Sequence, residues 1–391
     1  MSMIFMDNAS TAPMREETLE EMRPYFTVDY GNPSSIHGMA RAPREACNNA
    51  RKIIAGILNA DPSEIYFTSG GTESDNWALV SSALKGGKDK NIVISTIEHH
   101  AIIETAEFLE KMGYEIRKAP VDEFGKVKLD VLKDLVDDNT VLVSVMTANN
   151  EIGTIEPIDE VSKIAHEHGA MFHTDAVQAF CHIPIDVKRS DIDLLSASGH
   201  KFGGPKGVGF LYMKKGVRLQ PFMRGGAQEE GKRAGTTNVP GIVGMGKAAE
   251  IASAAMAEDA VYVSKIRDHI IERIEKEIPH CKLNGHRTDR LPGNVNFSFR
   301  FIEGESLLML MNQFGICVST GSACASGSLD PSHVLLGIGL PHEIAHGSVR
   351  LSLSENNTKE EADKAVDALV KTVEKLRSMS PLYEDFVRGG K

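Results

Sequence analysis

Apolar residues recur along this chain at two spacings. Six short runs are apolar, most of them dense in β-branched and aromatic residues, and end in polar or glycine-rich segments: EIYFTS (64–69), NIVIST (91–96), TVLVSVMT (140–147), AMFHTD (170–175), DLLSAS (193–198) and GVGFLYM (207–213). This pattern predicts strands. Between them, TESDNWALVSSAL (72–84), AIIETAEFLEKMG (101–113, closed by Gly113) and DEVSKIAHEHG (159–169) carry helical spacing. Strands alternating with helices predict an α/β fold with a largely parallel sheet, in which ligands bind beyond the carboxyl ends of the strands. Upstream, PMREETLEEM predicts a helix opened by Pro13 with acids in its first turn. A second helix is predicted from near Pro43 to Leu58, stopped by the turn at Asn59–Pro62.

From about Asn238 to Ile278 the pattern is helical for longer than a typical globular helix, which predicts two helices or one long connector. A smaller mixed unit follows, with strands at NVNFSFR (294–300) and VRLSLS (349–354). Its helices are predicted at ESLLMLMNQFG (305–315) and over 359–378.

Composition narrows the function. The 391 residues are 41% hydrophobic and 25% charged with a net charge of -11, ordinary for a soluble domain pair and against a nucleic-acid-binding surface as the main business. No apolar run approaches a membrane span, and MSMIFMDNAS lacks the basic start and apolar core of a signal peptide, so a cytoplasmic protein is expected. Five scattered cysteines without CxxC fit a reducing compartment, with neither a disulfide framework nor a zinc site. HEHG lacks the HExxH spacing, and no metal is expected.

Candidate chemistry gathers after the predicted strands. In SASGHKFGGPKGVG (196–209), Lys201 follows a strand and precedes a glycine-rich turn. A desolvated lysine there is a Schiff-base nucleophile, with Lys206 a rival that local chemistry leaves open. Asp175 ends the strand in AMFHTDAVQ, where a carboxylate can hold a pyridinium N–H. In TSGGTESDN (68–76), Gly70 and Gly71 let backbone approach an anion at a helix start, and Thr72 adds a hydroxyl. His99 and His100 follow another strand in IEHHAI. Taken singly, these residues read as a solvated lysine, a helix cap, a glycine turn and structural histidines. Together they are the parts of a pyridoxal-phosphate enzyme. The run STGSACASGS (319–328) sets Cys324 among small residues that suit a mobile arm, whereas Cys317 in FGICVS reads as a core residue and Cys47, Cys181 and Cys281 as structural thiols.

The ordered motifs MDNASTAP, GNPSSIHG, TSGGTESDN, EHH, NNEIGTIEP, HTDAVQ, SGHKFGGPKG, RAGTTN, STGSACASG and VRLSLS resemble those of the NifS/IscS-type cysteine desulfurases, within the class V aminotransferases. The resemblance covers nearly the whole chain. It implies a pyridoxal-phosphate transferase of fold type I: a large domain (13–255) with a mainly parallel seven-stranded sheet, and a small α+β domain (1–12 and 256–391) carrying the cysteine loop at about 319–335. It assigns the Schiff-base role to Lys201 and ring stacking to His99, also a candidate proton carrier. Gly71, Thr72, Ser198 and His200 match the phosphate site, and Thr236 matches a residue reaching the partner subunit's phosphate in a homodimer. Gln178 matches the contact to the ring's phenolic oxygen, Asn150 and Arg350 the substrate carboxylate site, and Cys324 the sulfur-accepting nucleophile. The implied reaction converts L-cysteine to L-alanine and passes sulfur to a protein acceptor such as an iron–sulfur scaffold. Selenocysteine lyase or a related lyase, and a low-turnover sulfur-transfer scaffold, are the alternatives. Departures are Pro43, where relatives often continue a helix, and a short C-terminus that bears on scaffold docking.

Overall fold

The computed structural model describes residues 3–320 and 331–389. Among them, twelve strands form three sheets: β1 (Ile4–Phe5), β2 (Ile65–Thr68), β3 (Asn91–Ser95), β4 (Glu115–Ala119), β5 (Thr140–Ser144), β6 (Met171–Asp175), β7 (Leu194–Ser198), β8 (Gly209–Met213), β9 (Cys281–Leu283), β10 (Asn294–Phe299), β11 (Ile316–Cys317) and β12 (Ser348–Ser352). The main sheet has the order β2–β8–β7–β6–β5–β3–β4. Every neighbouring pair is parallel except those of β8, which runs antiparallel to both β2 and β7. The link from β7 to β8 is too short for a crossover, so the chain reverses there in a glycine-rich turn. The six other strands point their carboxyl ends to one edge, and that edge is where the candidate residues lie.

All six predicted strands of this sheet are present. The seventh, β4, is an edge strand of sequence EIRKA whose residues are mostly exposed or half-buried. Charged edges of this kind discourage pairing with other chains and carry no apolar signature. The first helix starts at Glu16, not at Pro13. Pro13 lies in an extended segment whose flanks are tied elsewhere: Ala12 N–H donates to the His200 carbonyl (3.0 Å) and Arg15 N–H to the Gly203 carbonyl (3.1 Å). Pro43 sits in the first turn of the helix Arg41–Leu58, where a missing N–H costs nothing.

The long helical stretch is one helix, Val239–Glu277, capped by Asn238, whose side chain accepts from Gly241 N–H. It serves two cores. Val239, Ile242, Val243, Met245, Ala248, Ala249 and Ala252 pack with the main sheet, while Val263, Ile266, Ile270, Ile271 and Ile274 pack with β10, β12 and the helix Lys359–Ser378. The helix runs unbroken through residue 255. Antiparallel β12–β10–β9 and parallel β1–β11 complete the smaller unit. Among the described residues, no helix is long and apolar enough to cross a membrane.

Phe297 is fully buried at the centre of the smaller core. Phe297→Ala is expected to lower stability by about 3–5 kcal/mol, the loss typical of a large buried aromatic. The denaturant midpoint of unfolding measures it.

Candidate active site

A cavity of about 330 Å³ opens at the carboxyl edge of the main sheet. Its wall includes Gly71, Thr72, His99, Asn150, Asp175, Gln178, Ser198, His200, Lys201 and Arg350, so ten expected site residues meet in one place. Lys206, the rival to Lys201, is exposed outside it.

One end is built to hold an anion. β2 leads into the helix Gly71–Gly86, whose first N–H groups have no partner within the helix. A Cβ at Gly71 would meet Val177 Cγ2 at 2.5 Å, so only glycine brings this backbone so close to the β6 loop. Glu73, an acid that would repel an anion here, is bound by Arg233 (2.8 Å) and by Ser69 N–H (2.8 Å). Ser198 and His200 reach the same end from β7, and His200 Nδ1 lies 3.1 Å from Thr11 Oγ1. Burial first, then the Lys201 and Lys206 charges, lower the His200 pKa to about 4, leaving it neutral at physiological pH.

The middle of the cavity suits a flat ring. His99 caps the helix His100–Lys111, its Nδ1 accepting from Ala101 N–H at 3.1 Å. That bond leaves the proton of the neutral ring on Nε2. Burial, with the Lys201 charge next, lowers its pKa to about 4, so the imidazole is a neutral donor and stacking surface and a weak base. Asp175 is 5% exposed and accepts Val177 N–H at 2.8 Å. Burial raises its pKa to about 6 against the opposing pull of that N–H and of Lys201. A carboxylate held in so dry a place is well matched to a ring cation.

The segment Asp7–Ala12, whose place in the site was not foreseen, closes one side as a strap. The Ala9 carbonyl accepts from Lys201 Nζ (2.6 Å) and Gln178 Nε2 (2.9 Å), and the Ser10 carbonyl from Lys201 Nζ (3.0 Å). Arg350, on β12 and 2% exposed, anchors the strap through Asp7 Oδ1 (2.8 Å) and Ser10 Oγ (3.0 Å), and donates to the Asn150 carbonyl at 2.9 Å. Its Nε is buried without a partner among the described residues. A planar guanidinium in the wall of the cavity is a group suited to a carboxylate.

Two expected residues stand apart. Thr236 is exposed and does not line the cavity. Cys324 lies outside the described residues. The chain on either side of its segment meets the cavity wall: Ser319 bridges to Arg350, and after the segment Ser332 hydrogen-bonds to Glu151 while His333 Nε2 lies 2.9 Å from the Glu98 carbonyl. Cys47 and Cys181 are buried, and burial raises both thiols, Cys47 to about 12, so neither is a ready thiolate. Cys317, expected in the core, is only partly buried. Asp75, His100 and Glu151 also line the cavity. All three stand in motifs already singled out, and what the sequence lacked was any sign of which way they face.

Residues 4–365 match the family model described as Aminotransferase class-V. The chain belongs to the class-V aminotransferase family. Among class-V relatives, "Cysteine desulfurase IscS" of Methanosarcina thermophila is 54% identical over 97% of this chain and 94% of its own length. "Cysteine desulfurase IscS" of Clostridium botulinum (strain Hall) is 53% identical over 98% of both. A solved "NIFS-LIKE PROTEIN" superposes with a TM-score of 0.90 at 38% identity, covering 95% of this chain and all of that one. "SspA in complex with cysteine" gives 0.80 at 35% identity, covering 91% and 100%. Enzymes of this class V group depend on pyridoxal phosphate. The residues present fit that cofactor: an anion cradle only glycine allows, a buried carboxylate, a neutral imidazole and a lysine in one cavity.

The His99 shift has a pH signature. Its folded pKa lies below the ordinary 6.5, so the unfolded chain binds a proton that the folded chain refuses. Its contribution is present above pH 6.5 and is lost as pH falls toward about 4. His99→Asn keeps a capping side chain without the titration. Urea unfolding of cofactor-free protein is expected to show a flatter stability slope for the variant in that window, by up to one proton, and no difference above it.

Proposed function

We propose that the chain is a cysteine desulfurase that converts L-cysteine to L-alanine and loads the sulfur on Cys324 as a persulfide. The observation that carries the reading is the convergence of Lys201, Asp175, His99 and Arg350 on one cavity in a chain more than half identical to named desulfurases.

Arg350 binds the substrate carboxylate with its fork, with Asn150 beside it, and so fixes the amino acid's orientation. When bound, pyridoxal phosphate supplies the electron sink that makes the Cα proton of an amino acid removable. Asp175 holds a proton at the ring nitrogen, and His99 covers a ring face as a neutral imidazole. Lys201 would hold the cofactor covalently, and its amine is the base that would take the Cα proton. Gln178 would bond the ring's phenolic oxygen. Gly71, Thr72, Ser198 and His200 hold the phosphate, with Thr236 serving the partner subunit's site in a homodimer. The Cys324 thiolate then forms an S–S bond to the substrate sulfur as the Cβ–S bond breaks. The electron pair of that bond stays on carbon, is protonated, and the fragment leaves as alanine. A protein acceptor, such as an iron–sulfur scaffold in the cytoplasm, takes the persulfide sulfur.

Incubation of Cys324→Ala with L-cysteine and a thiol reductant tests the reading. The variant is expected to keep its cofactor and visible absorbance while sulfide release falls on the order of 1000-fold or more, as for loss of a nucleophile. Normal sulfide release by Cys324→Ala would refute the role of the thiol. Lys201→Ala is expected to hold the cofactor without a covalent link, and a retained link would point to Lys206. Arg350→Lys is expected to raise KM for cysteine roughly tenfold, the weight of one charge-assisted hydrogen bond.

A further inference from the structure

Asp75 lies on the helix Gly71–Gly86 and is 1% exposed. One carboxylate oxygen each of Asp75 and Asp175 and one ring nitrogen of His99 lie within 4.8 Å of one another. Asp75 Oδ1 has no hydrogen-bond partner among the described residues and stands 3.7 Å from Nε2 of His173, a fully buried imidazole. His173 is held between two hydroxyls, with Nδ1 2.8 Å from Ser144 Oγ and Nε2 3.0 Å from Ser196 Oγ. Ser196 also hydrogen-bonds to Asp75. The result is a buried chain Asp75–Ser196–His173–Ser144 behind the ring carboxylate.

The two carboxyls are not equivalent. Asp175 accepts a backbone N–H and feels the Lys201 ammonium. Among the described residues Asp75 has one hydroxyl and no cation beside it, and burial, reinforced by the Asp175 charge, raises it well above the usual range. The other groups facing it give no counter-charge. Burial holds His173 neutral, down to about 3, and His99 is neutral as described. Glu98 is itself raised by burial, with one N–H bond from Met146 at 2.8 Å. Two carboxylates this close in a dry site do not both ionise.

We propose that Asp75 is a positioning residue for the cofactor ring: it stays a neutral acid, so that Asp175 alone presents negative charge to the ring nitrogen. This rests on the pyridoxal-phosphate reading of the cavity. Proton bookkeeping makes the state of Asp75 visible at a distance. Neutral Asp75 donates to Ser196 Oγ, Ser196 donates to His173 Nε2, and His173 carries its proton on Nδ1 toward Ser144. An ionised Asp75 reverses the chain, with Ser196 donating to Asp75 and His173 protonated on Nε2.

Nitrogen NMR of the cofactor-bound protein labelled in histidine reads that tautomer, with His173 assigned by through-bond correlation or by its loss in His173→Gln. The Nδ1–H form is expected in wild type and in Asp75→Asn, whose amide donates to the same serine. An Nε2–H form in wild type at neutral pH overturns the proposal. With cofactor labelled at the ring nitrogen, that nitrogen is expected to stay protonated in Asp75→Asn, with a dissociation constant within about twofold of wild type. Asp175→Asn is expected to lose the ring proton and bind at least about tenfold more weakly. Loss of the ring proton in Asp75→Asn as complete as in Asp175→Asn also overturns the proposal. A protein that binds no pyridoxal phosphate would strike the reading of the cavity instead. The His173 tautomer, readable without cofactor, then still decides whether Asp75 is neutral.

Discussion

The cleft depends on one ion pair, buried Arg350 with half-buried Asp7. Arg350 belongs to the small antiparallel sheet, and Asp7 to the strap that crosses to the Lys201 turn. The pair therefore ties the smaller core to the lysine-bearing edge of the larger one. Removing Asp7 is the costly side, up to about 3–5 kcal/mol, because Arg350 is then left charged and dry. The pair also gives Arg350 its orientation, with both terminal nitrogens committed to the protein. The side chain that joins the two units is thus the same one proposed to receive the substrate carboxylate.

A second constraint is backbone crowding at the sheet edge. Gly209 pairs with both Thr68 and Ser198, and a Cβ there would meet the Ala197 carbonyl at 2.4 Å and Gly70 Cα at 2.7 Å. The anion loop and the lysine turn are consequently pressed against one another through a strand that has no side chain at the contact. At the opposite rim, Gly153 at φ +75° lets Asn294 and Asn296 donate to the Glu151 carbonyl, 3.0 Å each, which fixes the turn carrying Asn150 against the small sheet.

Much of this was legible in the sequence. The central strands are buried on both faces and read as apolar runs, and the site residues stand at their ends because the topology puts them there. β4 was missed because an edge strand is charged, and β1, β9 and β11 because two or three residues hold no period. The helix start at Glu16 was misplaced because the Lys201 turn, far away in sequence, claims the backbone near Pro13. Asp75 escaped because its motif announces a phosphate loop, while its meaning lies in what the helix turns inward. The neutrality of His99 was likewise out of reach, since it follows from burial and a neighbouring ammonium and not from residue type.

The helix Val239–Glu277 shapes how the molecule can move. A pliable joint between two bodies usually lies in a short irregular segment, but here one crossing is a hydrogen-bonded rod with apolar residues seated in both cores. Swinging one body against the other at that crossing would bend the rod or unseat its side chains. The architecture favours a fixed vessel over a clamshell.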